Sequence, residues 1–445
     1  MQKTASALLF LVGLVPFGPS LHGQPTCFSA AEFAERRQAL INRAGDGVIL
    51  IDAALFPAEF FYLTGVQGRG ARLLVIPESV AAKTSKPQVW ATTLYLTPKT
   101  PQSGVWDDPV LSTGDDTFTP TGIRNNAPLG DFWNDVAKIG LIADTIYLPF
   151  RSGPPDPERL PDDLRFAEQV RNVVPQARVK NLLPILSQMR WAKTPAETGV
   201  MRRACAIVTD AFREAARITR PGLYEYEVEA AISYVFRRLG SERPAFLIIG
   251  SGPNSCILHH MKNDRRMGED ELLLIDIGNV YCGVSDDLTR TIPVSGKFTG
   301  EQRKIYDIVL RAQKAAIALV RPGVTLAQVH ATARKVIADA GYGKYFIHGT
   351  SHTLNGGSSA NPLHLGTWRP DEPPDRYAAD DEPVVAGTMF TIEPGIYIPE
   401  KSLGIRIEDS VLVTADGCEI LTAAAPKEIA EIESLMKEKP AHLIR

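Results

Sequence analysis

Short apolar runs and helical patterns alternate along the first half of the chain. Residues 30–43 repeat apolar positions at helical spacing. Short β-rich runs follow at residues 48–51, 72–76 and 89–96. Segments rich in proline or glycine form the surface connections, at residues 98–102 and 153–161. This alternation predicts an α/β domain.

A second pattern in the middle of the chain combines apolar strands with acidic residues. Residues 272–294 read LLLIDIGNVYCGVSDDLTRTIPV, and the first apolar run meets Asp276. The chain turns near Gly283 and returns as a second β-rich run that Asp287 opens, eleven residues after Asp276. A hairpin of this kind can place two carboxylates side by side, which requires a cation between them. The alternative is that Asp286 and Asp287 are ordinary polar turn residues.

The second half also contains an internal repeat. Residues 207–223 and 308–324 resemble each other at an offset of 101. In both, a helix ends at Arg-Pro-Gly and a second amphipathic helix follows, at residues 228–239 and 329–340. The repeat predicts two related α+β halves that pack as one domain.

A helix start marks the boundary between the two halves of the chain. Thr194 can cap a helix, Pro195 fits its first turn, and Glu197 stands where a capping box requires it. The pattern predicts a helix from there to about residue 217.

Composition and charge exclude some classes of protein. Apolar residues make up 44% of the chain and charged residues 22%, as in ordinary globular proteins. The net charge of −3 provides no basic surface, so nucleic acid is not expected as a partner. The five cysteines lie far apart without CxxC pairs, which does not indicate a disulfide framework, and we expect most of them to be buried small apolar residues. They are Cys27, Cys205, Cys256, Cys282 and Cys418.

The first 23 residues have the build of a secretory signal. Lys3 gives a positive start, an apolar run covers residues 5–17, and small or polar residues follow. The apolar run is too short to span a bilayer, and the rest of the sequence has no candidate membrane span. We therefore expect a periplasmic or secreted protein whose mature chain starts near residue 24.

Histidines and acidic residues with catalytic potential concentrate in the second half. They follow short β-rich stretches, one of which is residues 345–347. Arg406 and Glu408 alternate along GIRIED, which predicts that both point from one strand face. His260 and His330 are expected to cover surface or core, and Tyr224 and Tyr226 to pack. The remaining candidates are His259, His348, His352, His364 and Glu393.

Four motifs among these residues resemble those of the pita-bread metallopeptidases, which include methionine aminopeptidase, prolidase and aminopeptidase P. They are HG-x-SH, TIEPG-x-Y, GIRIED and D-x₁₀-D-L-T-R-T. The resemblance covers residues 193 to about 426. In the first half, FAERR, FYLTG and LYL…WDD look like the amino-terminal domain of aminopeptidase P. The resemblance implies an α/β domain over residues 24–192 and a pita-bread α+β catalytic domain with a pseudo-twofold repeat over residues 193–437.

The resemblance implies a site for two divalent metal ions. Its ligands would be Asp276, Asp287, His352, Glu393 and Glu408. Asp287 and Glu408 would bridge the ions. Oxygen donors with one nitrogen favour Mn²⁺, with zinc, cobalt or iron as alternatives. Two ions about 3.5 Å apart can share a hydroxide and polarise the scissile carbonyl.

The same resemblance implies roles for the neighbouring residues. Glu393 would take the proton of the attacking water, and His259 and His348 would contact the substrate or the tetrahedral intermediate as donors. Arg406 would hold the carboxylates in place. The chain departs from the family at residue 359, where relatives of the aminopeptidase P type have a further histidine and this chain has serine. The next histidine is His364, in a loop rich in glycine, serine and asparagine, and we expect it to replace the missing donor.

These features predict a metal-dependent exopeptidase that cleaves between an amino-terminal residue and a following proline. The alternatives are an Xaa-Pro dipeptidase and, from another class, a metal-free binding module on the same fold. The ligand pattern is complete, which disfavours the binding module. Peptides with proline in the second position are the expected partners, with no membrane partner after signal removal. The chain is expected to form a homo-oligomer, a dimer or a tetramer.

Overall fold

A computed structural model describes residues 27–68, 70–84, 91–106, 108–150, 160–354 and 382–442. Its helices are α1 Ala30–Ala44, α2 Pro57–Thr64, α3 Glu78–Ala81, α4 Phe118–Thr121, α5 Phe132–Gly140, α6 Asp162–Val173, α7 Leu183–Trp191, α8 Pro195–Ile218, α9 Glu225–Arg238, α10 Gly300–Leu319, α11 Leu326–Asp339 and α12 Ile429–Leu435. Its strands are β1 Val48–Asp52, β2 Ala71–Val75, β3 Thr93–Leu96, β4 Asn125–Pro128, β5 Thr145–Leu148, β6 Arg178–Asn181, β7 Arg243–Ser251, β8 Leu272–Tyr281, β9 Val284–Ser285, β10 Leu288–Pro293, β11 Met389–Ile392, β12 Gly395–Ile398, β13 Leu403–Arg406, β14 Asp409–Val413 and β15 Cys418–Ile420.

The first half of the chain folds around one mixed sheet. Its strand order is β4-β3-β2-β1-β5-β6, with β1 antiparallel to β2 and parallel to β5. Along β1, Ile49 and Ile51 pack in one apolar cluster while Val48 and Leu50 pack in another, because successive side chains point to opposite faces. Both faces of the sheet are therefore buried, and the predicted α/β arrangement is confirmed.

The second half contains three smaller sheets that share one apolar core. Their orders are β10-β8-β7 with β9 paired to β8, β11-β14-β15, and β12-β13. The long helices pack in pairs, α8 with α9 and α10 with α11. Residues from these helices and sheets form one continuous buried cluster. This is the predicted α+β architecture.

The backbone confirms the internal repeat. Gly222 and Gly323 both adopt positive φ, 89° and 90°, a conformation that glycine reaches without strain. The Gly222 N–H donates to the Met267 carbonyl and the Gly323 N–H donates to the Val384 carbonyl, both over 2.9 Å. Each Arg-Pro-Gly turn therefore docks on the segment that leads into a strand of its own half, β8 in the first and β11 in the second.

The predicted capping box begins the second half. The Glu197 N–H donates to Thr194 Oγ1 over 3.2 Å, and the Thr194 N–H donates to Glu197 Oε2 over 2.9 Å. Helix α8 runs from this box to Ile218, one residue beyond the predicted end. The division of the chain at residue 193 remains our interpretation of the sequence, and it leaves every strand of the six-stranded sheet on one side.

A disulfide joins the start of the described chain to the hairpin between β8 and β10. It links Cys27 to Cys282, whose Cα atoms lie 6.0 Å apart, an ordinary separation for a disulfide. Cys27 and Cys282 are therefore exceptions to the expectation that most cysteines are buried small apolar residues. The hairpin turn packs against the first half, where a Cβ on Gly283 would come within 2.4 Å of the Phe61 ring. This contact brings together two cysteines that are 255 residues apart in sequence.

The predicted strand character of residues 345–347 is wrong. A 3₁₀ turn covers Gly343–Tyr345, and the Phe346 N–H donates to the Gly343 carbonyl over 3.3 Å. These local bonds use the backbone groups that a strand would offer to a neighbour. Phe346 is buried against the ring of His330 instead.

The predicted signal and the question of membrane-spanning segments concern the limits of the described chain. The predicted signal at residues 1–23 lies outside the described residues. Among the described helices, none has the length and apolar character needed to cross a membrane.

Candidate metal centre and active site

Strands β8 and β10 position the first two predicted ligands. Asp276 lies on β8 opposite Thr289 of β10, and Asp287 directly precedes β10. Both side chains are buried, Asp276 at 7% and Asp287 at 6% exposure. The predicted hairpin therefore holds two carboxylates at the same edge of the core, and the reading of Asp287 as an ordinary exposed turn residue does not apply.

The segment around His352 pairs with β11, and this pairing places two further ligands together. The Thr391 N–H donates to the His352 carbonyl over 2.9 Å, and the Glu393 N–H donates to the Thr350 carbonyl over 2.8 Å. His352 Nε2 lies 3.3 Å from Asp287 Oδ2 and 3.6 Å from Glu393 Oε1.

Glu408 reaches the same place from the connection between β13 and β14. Its N–H donates to the Thr289 carbonyl over 3.0 Å, and its Oε2 accepts from Thr289 Oγ1 over 2.6 Å. Ligand atoms of Asp287, His352 and Glu408 all lie within 4.8 Å of one another. All five predicted ligands thus line one cavity.

Three carboxylate oxygens in this cluster fit a metal site. Asp276 Oδ1, Asp287 Oδ1 and Glu408 Oε1 are buried and have no hydrogen-bond partner among the described residues. A buried carboxylate oxygen without a donor is costly, whereas a divalent cation satisfies it. The donor set of four carboxylates and one imidazole suits oxygen-preferring ions, so the residues fit the expected metal.

The protonation behaviour of the cluster reflects this crowding of negative charge. Burial raises the pKa of Asp276 to about 7, with Arg406 opposing the change and Asp287 adding to it. Burial likewise raises the pKa of Glu393 and of Glu408, and the neighbouring Asp287 raises both further. The side chain of His352 is 52% exposed. Partial loss of water around the ring would lower its pKa, but the hydrogen bond to Asp287 and the charge of Glu393 raise it to about 9. Protons compete for the positions that a cation would take.

A chain of hydrogen bonds runs from the carboxylates to His348. Arg406 donates to Asp276 Oδ2, and through Nη1 to the Tyr397 hydroxyl over 2.8 Å. The Tyr397 hydroxyl also lies 2.8 Å from His348 Nε2, and His348 Nδ1 lies 2.7 Å from the Gly349 carbonyl. A carbonyl only accepts, so the Nδ1 proton is fixed there and Nε2 accepts from Tyr397. Burial, with the charge of Arg406, lowers the pKa of His348 to about 3, which keeps the ring neutral.

The cavity over the carboxylates measures about 760 Å³. His259 lines it from an exposed position on the loop after β7, together with the apolar side chains of Phe246, Leu258 and Met261. All of its lining residues belong to the second half of the chain. Within the described residues, the first half therefore packs on the metal-ligand hairpin without lining this cavity.

The sequence interpretation missed three residues of this site. Tyr397 joins Arg406 to His348, and Thr289 joins Arg406 to Glu408. Both belong to motifs already noted, TIEPG-x-Y and DLTRT, which is the signal that could have identified them. His330, expected to cover surface or core, lines the cavity, and its Nδ1 lies 2.9 Å from Thr350 Oγ1.

Three other expectations from the sequence concern Arg406 with Glu408, the tyrosine pair 224 and 226, and His364. Arg406 and Glu408 share the Thr289 hydroxyl, as their predicted common face requires, although β13 ends at Arg406. Tyr224 and Tyr226 stack on each other at the surface, with 37% and 49% exposure. His364 lies outside the described residues, and its role as a donor stays a prediction.

Comparison with known proteins agrees with this geometry. A sequence profile of metallopeptidase family M24 matches residues 199–415. The chain is 33% identical over 407 residues to an Xaa-Pro aminopeptidase of Haemophilus influenzae, an alignment that covers 85% of this chain and 87% of the relative. The chain belongs to metallopeptidase family M24. It is therefore a hydrolase, a metallo-exopeptidase of a family that works with divalent ions.

Other relatives of this M24 peptidase include both specificities that the sequence left open. An Xaa-Pro dipeptidase of Pyrococcus furiosus is 38% identical over 245 residues, which covers 55% of this chain and 66% of the dipeptidase. The structure of Escherichia coli aminopeptidase P with the inhibitor Pro-Leu superimposes with a TM-score of 0.78 at 28% identity, covering 92% of this chain and 98% of that one. The predicted fold, a pita-bread domain with an amino-terminal α/β domain, is confirmed.

Proposed function

We propose that this M24 peptidase removes the amino-terminal residue from peptides whose second residue is proline. The main support for this proposal is the share of the chain that each alignment covers. The match to the Xaa-Pro aminopeptidase covers 85% of the chain and includes the first half, whereas the match to the dipeptidase covers 55%. The first half is where aminopeptidase P-like motifs distinguish the two possibilities.

Five residues would hold two divalent ions, with Mn²⁺ preferred because four of the donors are carboxylates. They are Asp276, Asp287, His352, Glu393 and Glu408. When bound, such ions lower the pKa of water and polarise a carbonyl. The three unpartnered carboxylate oxygens support this assignment.

Glu393 would move the proton of the attacking water as the general base of the reaction. The Thr391 hydroxyl donates to Glu393 Oε1 over 3.3 Å and orients it.

His259 and His348 would have different roles, although the sequence interpretation expected both to contact the substrate or the tetrahedral intermediate. His259 is exposed in the cavity and can donate to the substrate carbonyl or to the tetrahedral intermediate. Both nitrogens of His348 are engaged, by Gly349 and Tyr397. We therefore assign to His348 the task of holding Tyr397 and Arg406, and through Arg406 the carboxylate of Asp276.

The test compares three peptides on metal-loaded protein: Gly-Pro-Ala, Gly-Ala-Ala and Gly-Pro. Release of glycine from Gly-Pro-Ala at a kcat/KM at least about 100-fold above that for Gly-Ala-Ala is expected, the scale of a site built for one substrate feature. Equal turnover of Gly-Pro-Ala and Gly-Ala-Ala would refute the proline requirement. Faster cleavage of Gly-Pro than of Gly-Pro-Ala would favour the dipeptidase alternative.

Export through an amino-terminal signal is part of the proposal. The disulfide between Cys27 and Cys282 supports it, because such bonds persist in oxidising compartments. Mass spectrometry of protein from the native host should find a mature chain starting near residue 24. Intact Met1 on cytoplasmic protein would contradict export.

A homo-oligomer, a dimer or a tetramer, is also proposed. Its support is a group of three exposed apolar side chains in the first half, where Val105 is 69%, Trp106 84% and Val110 59% exposed. Light scattering coupled to size-exclusion chromatography tests it, and a monomer at micromolar concentration would contradict it.

A further inference from the structure

Glu225 is a fully buried carboxylate outside the metal centre. It is the first residue of α9 and has 0% exposure. Its Oε1 accepts from the Ser251 N–H over 2.6 Å, from Ser251 Oγ over 2.7 Å and from Asn254 Nδ2 over 3.1 Å. Its Oε2 accepts from the Arg265 N–H over 3.1 Å and lies 3.1 Å from His260 Nε2.

All of these contacts come from one segment, residues 251–265, which starts at the last residue of β7 and continues into the connection to β8. We call this segment the His259 loop, because it presents His259 to the active-site cavity together with Leu258 and Met261. The contacts with Glu225 come from both sides of His259 in sequence. A single carboxylate therefore fixes both ends of the loop.

The two adjacent histidines of the His259 loop face opposite ways. His260 is buried at 8% exposure with its ring on Glu225, whereas His259 is exposed and lines the cavity. His260 Nε2 also accepts from the Asn263 N–H over 3.3 Å and lies 3.1 Å from Asn254 Nδ2, so the ring is held among polar groups of Glu225 and of the loop itself. With His260 held on this side, the neighbouring side chain of His259 lies towards the cavity.

The His259 loop is held on its other side by β13. The Gly404 N–H donates to Ser255 Oγ over 2.8 Å, and Arg406 Nη2 donates to the Leu258 carbonyl over 3.4 Å. Any Cβ at position 404 would come within 2.0 Å of the Ser255 carbonyl oxygen, so only glycine permits this approach. The loop is fixed between α9 and the strand that carries Arg406.

Glu225, His260 and Asp264 also bring three potential ligand atoms within 4.8 Å of one another. Both oxygens of Glu225 already accept hydrogen bonds from the loop, however, which satisfies the carboxylate. The cluster has the character of a structural anchor and not of a second metal site.

We propose that Glu225 is a positioning residue that holds His259 at the active site through the His259 loop. The proposal rests on the proposed function, in which His259 contacts the substrate. A displacement of about 1 Å at a reacting group can cost about 100-fold in rate, so loss of the anchor should be visible in catalysis.

The test is a double-mutant cycle of Glu225→Gln and His259→Ala, with Gly-Pro-Ala as substrate and metal content measured in parallel. Glutamine keeps the size of the side chain but turns an NH₂ donor towards donors of the loop. Glu225→Gln should lower kcat/KM by about 10- to 100-fold without changing metal content. In the His259→Ala background the same substitution should change kcat/KM by less than about 3-fold, because the residue it positions is absent.

Glu227→Gln is the matched control. Glu227 lies two residues along α9, is exposed, and accepts from the Tyr224 N–H over 2.8 Å instead of from the His259 loop. It should retain wild-type kcat/KM. If Glu225→Gln does not fold, Ser251→Ala removes one donor from the same carboxylate, and its smaller loss of kcat/KM should likewise vanish in the His259→Ala background.

The outcomes distinguish the proposed role of His259 from the proposed role of Glu225. Wild-type kcat/KM in His259→Ala would overturn the proposed role of His259 itself. Two other results would overturn only the positioning role of Glu225, provided that His259→Ala itself lowers kcat/KM strongly. One is wild-type kcat/KM in Glu225→Gln. The other is an equal loss from Glu225→Gln in the wild-type and the His259→Ala backgrounds.

Discussion

Replacing Thr289 with valine should weaken metal binding although Thr289 is not a ligand. The Thr289 hydroxyl is fully buried, donates to Glu408 Oε2 over 2.6 Å and accepts from Arg406 Nε over 3.2 Å. Valine keeps the shape of the side chain and removes both bonds. Glu408 Oε1 has no partner among the described residues, so the variant leaves the carboxylate without a side-chain donor to orient it.

The expected size of the effect follows from those contacts. Each buried charged group that loses its hydrogen-bond partner costs about 1–3 kcal/mol or more of the free energy of unfolding. Loss of a residue that orients a metal ligand costs about 10- to 100-fold in metal affinity. Thr289→Val should therefore bind Mn²⁺ about 10- to 100-fold more weakly than the wild type, while Thr289→Ser should retain wild-type affinity.

Thr291→Val provides the matched control. Thr291 is also fully buried and lies two positions further along β10. Among the described residues its hydroxyl bonds only to the backbone of Arg406, over 3.0 Å to the carbonyl and 3.1 Å to the N–H. This variant should lose stability in a chelator yet bind Mn²⁺ within about 3-fold of the wild type, because no ligand loses a bond. Calorimetric titration of metal-stripped protein measures the affinities. Equal Mn²⁺ affinities in Thr289→Val and Thr291→Val would refute the reasoning.

Three further predictions concern the ligands and the disulfide. Asp287→Ala should retain less metal per chain than Asp276→Ala, because Asp287 is expected to serve both ions; elemental analysis showing the reverse would contradict this. Mn²⁺ affinity should rise as pH increases through about 7, because a proton occupies the Asp276 carboxylate below its raised pKa, and it should rise further towards the pKa of His352 near 9. An affinity that calorimetry in several buffers finds independent of pH between 6 and 9 would argue against this. Cys27→Ser and Cys282→Ser should each lower the free energy of unfolding by about 2–5 kcal/mol, and the double variant no more than either alone; additive losses in urea unfolding would show that the effects do not come from the shared bond.

The ligand set could be predicted because its residues stand in short motifs that resemble those of a known metallopeptidase family. Asp276 and Asp287 lie in one hairpin whose apolar pattern sets its strands, and GIRIED places Arg406 and Glu408 two residues apart. Charged residues beside buried strands suggest a site on their own, but only the resemblance supplied the complete set of five ligands. The structure brings these residues into one cavity.

Periodicity could not predict the partners of the supporting residues because these depend on the register between distant strands. Thr289 meets Glu408 across 119 residues, and Arg406, which the resemblance already implied would hold the carboxylates, meets Asp276 across 130. No periodicity within β10 or β13 shows which threonine faces a carboxylate and which faces the backbone. The position of His330 has the same origin, since the amphipathic pattern of α11 shows that one face is buried but not what lies against it.

Two local interpretations failed for reasons that the chain itself shows. Residues 345–347 are apolar and aromatic, as in a strand, but hydrogen bonds between neighbouring residues form a 3₁₀ turn. The pairing of Cys27 with Cys282 depends on how the first half packs against the hairpin. Spacing between cysteines contains no information on such packing.

The disulfide makes residues 27 to 282 a closed covalent ring followed by a linear remainder. Asp276 lies inside the ring, and the other four predicted ligands lie beyond it. A protease that cuts once inside the ring, for example at the exposed Trp106, opens the ring without releasing a fragment. A single cut in the linear remainder separates the polypeptide into two pieces that only packing holds together. A molecule nicked inside the ring therefore migrates as one chain in a denaturing gel until it is reduced, and it keeps its first half bound to the catalytic hairpin.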